Sequence, residues 1–97
     1  MEINASRRAR RYIRRRGGRL YLWGEETGVG LLEQVGFVPP TGLTFIGYPA
    51  DGFTLFMASN VGEAPSVTVR RVPWPIGPIS IVRSDARGVD QPVYAGY

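Results

Sequence analysis

The chain contains no cysteine, no histidine and no lysine. The missing cysteine removes thiol nucleophiles, disulfides and cysteine-ligated iron–sulfur clusters. With histidine also gone, Cys/His zinc sites are excluded, as is the general base that most serine hydrolase triads need. The missing lysine removes Schiff-base chemistry and the phosphate-loop lysine. Carboxylates, hydroxyls, tyrosines and guanidinium groups are what remain, so the composition points to no enzyme and no cofactor. No apolar run approaches the ~20 residues of a membrane span. Between Ile3 and Leu20 only Tyr12 and Ile13 are large and apolar, which is too little for a signal peptide, and the chain reads as cytoplasmic.

What is present is arginine, very unevenly placed. Eight of the twelve arginines fall between Arg7 and Arg19. Residues 1–19 are formally +7 and residues 20–97 formally −3, a basic head on a mildly acidic body. Such asymmetry points toward polyanionic partners. Ninety-seven residues, 43% of them hydrophobic, make one domain with a modest core rather than a disordered chain.

The pattern along the chain predicts an α+β protein, with one N-terminal basic amphipathic helix packed on a small, mainly antiparallel sheet or sandwich of five or six short strands. Residues 4–16 read as the helix, capped by Asn4 or Ser6 and stopped by Gly17-Gly18. At helical spacing Ala5, Ala9, Tyr12 and Ile13 form one narrow apolar stripe. Arg7, Arg8, Arg10, Arg11, Arg14 and Arg15 take the opposite half, and Arg16 falls on the apolar side. Strands are expected at 20–23, 31–38, 43–48, 53–58, 66–72 and 79–82, with turns at 24–28 and 49–52. Residues 1–83 form the domain, and 84–97 read as a polar, loose tail.

Two segments, Ala9–Trp23 (ARRYIRRRGGRLYLW) and Ala50–Met57 (ADGFTLFM), carry a likeness to a known family. In its order of elements over residues 3–83 the chain resembles the HesB-like family, which includes the A-type iron–sulfur carriers. The resemblance implies a helix leading into a strand and a compact β-sandwich. Cluster-binding members place one cysteine after the first strand and a pair near the C-terminus. Here the first region reads Glu25-Glu26-Thr27-Gly28-Val29-Gly30 and no thiol follows, so the resemblance implies the fold without the cluster.

The arginine face is the candidate site. Arg7–Arg11, Arg10–Arg14 and Arg11–Arg15 are like-charge pairs at i,i+4, each costing about 0.2–0.5 kcal/mol, with no acid in the helix to offset them. Guanidinium forks suit phosphate and carboxylate oxygens, so the expected partner is a nucleic acid or an acidic protein surface. Trp74, between Pro73 and Pro75, is the candidate contact residue outside the helix. The helix lacks the large apolar side chains that would anchor it stably in a membrane. Glu25, Glu26, Glu33, Asp51 and Glu63 show no spacing that brings carboxylates together for catalysis or metal binding. Two rival readings accompany this one. In the first, exposed β edges such as 43–48 or 66–72 pair with a second copy or another chain. In the second, the protein is a vestigial partner of iron–sulfur assembly.

Overall fold

The computed structural model describes residues 1–62, 64–73, 75–85, 88–89 and 92–95. The chain runs β1 (Glu2–Ala5), α1 (Arg7–Arg15), β2 (Arg19–Thr27), β3 (Gly30–Gly36), β4 (Phe45–Ala50), β5 (Phe53–Ala58), β6 (Ser66–Arg71), β7 (Ile79–Asp85), β8 (Gly88–Val89) and β9 (Val93–Ala95). The described strands form two sheets. One has the order β1-β6-β7-β8, with β9 also paired to β7; the other has the order β3-β2-β5-β4. Pairing is antiparallel except for β1 with β6 and β2 with β5.

This corrects the α+β expectation: the protein is mostly β, a two-sheet sandwich with nine described strands and one short helix. Three elements account for the difference. Residues 2–5 are not helical, because Ile3 and Ala5 sit opposite Val67 and Val69 in a parallel ladder. Ala5 thus reaches the apolar interior from a strand instead of from a helical stripe. Residues 24–27 do not turn. β2 runs on to Thr27, and the two-residue loop Gly28-Val29 closes the hairpin, braced by the Thr27 hydroxyl donating to the Gly30 carbonyl at 2.8 Å. Finally, residues 84–97, expected as a loose tail, contribute β8, β9 and the end of β7.

Alternation sorts the side chains. Leu20 and Leu22 of β2, Val35 of β3 and Phe53, Leu55 and Met57 of β5 point inward from one sheet. Val67, Val69, Ile79, Ile81 and Ala95 meet them from the other. Ala9 and Ile13 of α1 are fully buried in the same core. On the outer face of β2 and β5, Tyr21 stacks on Phe56 at 5.0 Å and meets the edge of Phe45 at 5.4 Å. Glycines make room for these rings: a Cβ on Gly47 would lie 3.0 Å from Phe56, and one on Gly36 3.1 Å from Trp23.

One seam of the sandwich is closed. There β3 packs beside β9, and Arg83 of β7 pairs with Glu33 of β3 while donating to the Gly62 carbonyl at 2.6 Å. Nearby, Asn60 imitates a strand partner. Its side chain accepts from the Gly24 N–H at 2.9 Å and donates to the Gly24 carbonyl at 2.7 Å. Asn60→Ala leaves both polar groups of buried Gly24 without a partner. It is expected to cost about 1–3 kcal/mol, measured as a lower urea midpoint at unchanged slope.

Candidate polyanion-binding site

The helix that carries the site is short and well terminated. The Ser6 hydroxyl accepts from the Ala9 N–H at 3.1 Å, so Ser6 rather than Asn4 is the N-cap. At the other end the Gly18 N–H donates to the Ile13 carbonyl at 2.9 Å and the Gly17 N–H to that of Arg14 at 3.2 Å. This paired closure needs a left-handed residue after the cap, supplied by Gly17 at φ 111°.

Three contacts fix the helix to the body. Ile13 and Ala9 enter the core. The ring of Tyr12 lies beneath the Arg71 guanidinium at 4.2 Å and beside Phe37 at 5.9 Å, and Arg16 caps Phe37 at 4.6 Å. Arg71 is itself held by donation to the Val72 carbonyl at 2.7 Å and the Pro78 carbonyl at 2.9 Å. The third contact joins Arg10 to Asp51 in the β4–β5 turn, where Gly52 takes φ 89°.

Packing therefore divides the six expected site arginines. Arg10 is engaged by Asp51 and its side chain is one-third exposed. Arg7, Arg8, Arg11, Arg14 and Arg15 are exposed, and their side chains make no hydrogen bond or ion pair among the described residues. They flank two shallow grooves, one of 290 Å³ bounded by Arg7, Arg11, Arg14 and the Arg10–Asp51 pair, and one of 250 Å³ bounded by Arg8, Arg11, Arg15, Arg71 and the Tyr12 ring. A larger cleft of 730 Å³ brings Arg8 together with Arg70 and Arg71 of β6.

Arg70 is a cleft residue outside the expected arginine face. Its outward position was nonetheless legible, since it alternates with buried Val67 and Val69. That β6 lies beside α1 was not. Trp74 and Glu63 lie outside the described residues. Among the other carboxylates Glu33 and Asp51 are each paired to arginine, Glu25 and Glu26 stand exposed on the hairpin, and no described group of acids could hold a metal ion. Of the two edges expected to be open, β4 is one, but β6 is interior, between β1 and β7. No helix among the described residues is long and apolar enough to cross a membrane. Comparison with protein-family models, curated proteins and solved structures gives no match.

The magnitudes say which anchor holds the helix. The Arg10–Asp51 pair is exposed on the aspartate side, so Asp51→Asn should change stability by under about 1 kcal/mol. Tyr12→Ala removes a half-buried ring from between Arg71 and Phe37 and should cost about 2 kcal/mol or more. Urea unfolding of the two variants should rank them in that order.

Proposed function

We propose that the protein is a small, non-enzymatic, cytoplasmic binding module that contacts the phosphates of nucleic acid through α1. One observation carries this reading: five guanidinium groups share an exposed surface with no carboxylate paired to them, in a body that is otherwise net acidic. Such a surface has unrelieved repulsion in isolation, which a row of phosphates removes while releasing counterions. Tyr12, the aromatic ring of the helix, is half-buried with the Arg71 guanidinium over its ring and Phe37 beside it, which makes it a poor platform for stacking a base. Contact is therefore to the backbone, which positions a nucleic acid without reading its sequence. HesB-like ancestry belongs to the same proposal, resting on the two segments that carry the resemblance and implying no bound cluster.

The test is fluorescence anisotropy of labelled duplex DNA across a salt series, with the wild type and a variant carrying Arg7, Arg8, Arg11 and Arg15 changed to Gln. Binding should weaken with a log–log slope near −0.9 per phosphate neutralised, and the variant's slope should flatten by about 0.9 for each phosphate it no longer neutralises. Absence of binding by the wild type at about 50 mM salt would sink the reading.

A further inference from the structure

The second seam of the sandwich is open, and the strand along it has an unpaired side. β1 is an edge strand with β6 as its only sheet partner among the described residues. The Glu2 N–H donates to the Pro65 carbonyl at 3.0 Å and the Ser6 N–H to the Val69 carbonyl at 3.1 Å. In a parallel ladder alternate residues face the partner, so the N–H and C=O groups of Ile3 and Ala5 point the other way. They face the 730 Å³ cleft, which consecutive residues Ile3 to Ser6 line along one wall. Across it stands β4, the edge of the other sheet, contributing Ala50. Toward the start of β1 a second hollow of 430 Å³ is lined by Met1, Tyr48, Ala64 and Pro65.

The two edges are not equivalent. In the β4–β5 ladder the Ser59 N–H donates to the Thr44 carbonyl, which sets the pairs facing β5 at Ile46, Tyr48 and Ala50. Position 49 therefore faces outward, and Pro49 has no N–H to offer there. β4 is blunted against strand addition, whereas β1 is not.

We infer that the β1 edge accepts an extended acidic peptide segment as an added antiparallel strand. Main-chain bonds to Ile3 and Ala5 supply the pairing. The charge of the cleft selects the occupant. Arg8, Arg70 and Arg71 border it, and its one carboxylate among the described lining residues, Asp51, is already paired with Arg10. An alternating sequence fits both surfaces. Apolar side chains turn inward to Ile3, Ala5 and Ala50, and carboxylates turn outward toward Arg70. This site is separate from the phosphate contacts of the exposed helix face, although Arg8 borders both.

The test uses fluorescein-labelled peptide EVEVTVTV and its reversed sequence, titrated with the full chain, alongside labelled duplex DNA. At least one of the two peptides should bind, and a version with lysine in place of glutamate should not. Ala5→Pro removes an outward N–H and leaves the β6 ladder bonds in place. It should weaken peptide binding by about fivefold or more while duplex DNA binding stays at the wild-type value. Should Ala5→Pro fail to show a cooperative melt, Ile3→Pro removes the neighbouring outward N–H and takes its place. Arg70→Gln, an exposed change, should weaken the peptide and flatten its salt dependence in either background. Failure of both peptides to bind, equal peptide affinity in the proline and wild-type proteins, or equal weakening of DNA and peptide binding in the proline variant would each overturn the inference.

Discussion

The burial of Ile13 is the interaction on which the arginine surface depends. α1 has nine residues, six of them arginine, and a helix of that length does not persist alone in water. Its three like-charge pairs together oppose folding by about 1 kcal/mol. Full burial of one Ile side chain supplies about 1.5–3 kcal/mol, and Ala9 and the Tyr12 ring add to it. Core packing thus outweighs repulsion and holds the guanidiniums in one array. The sandwich acts as a mount for a surface that could not assemble by itself.

The two seams of that sandwich have been treated differently by the sequence. On one side β9 reaches β3, and the Arg83–Glu33 pair spans the sheets. On the other, β1 and β4 are both edges, and half-buried Ile3, Ala5, Tyr48 and Ala50 border the gap. Proline protects one of those edges. The remaining edge is short, only four residues, which limits uncontrolled pairing while leaving room for a selected strand.

Much of the packing was legible in the chain. The alternation of Ser66–Arg71 and the burial of Ala9 and Ile13 follow from local periodicity, and the structure keeps them; of the turn expected at 49–52 it keeps Asp51-Gly52, with Pro49 and Ala50 belonging to β4. The strand count and fold class were not legible, for a physical reason. β1 reads EINA, a segment with no strong strand preference, and its conformation is set by β6, more than sixty residues away. The stretch after Trp23 looked like a turn because Gly24 and two glutamates punctuate it. Gly24 is instead a strand residue that leaves room for Leu31, where an added Cβ would lie 2.8 Å from the side chain. For the site, the arginine face could be read from helical spacing. The engagement of Arg10 by Asp51 and the arrival of Arg70 and Arg71 beside the helix depend on tertiary topology alone.

The parallel pairing of β1 with β6 also sets an order on assembly. The hairpins β2–β3 and β4–β5 each close over two-residue loops and form from local contacts. Glu2 meets Ser66 only after a closure that costs about 3–4 kcal/mol of chain entropy. The N-terminal strand is therefore placed by a contact distant in sequence, on a surface that β6 provides, and not by its neighbours in the chain. In kinetic terms the basic head waits on long-range closure, whereas the hairpins do not.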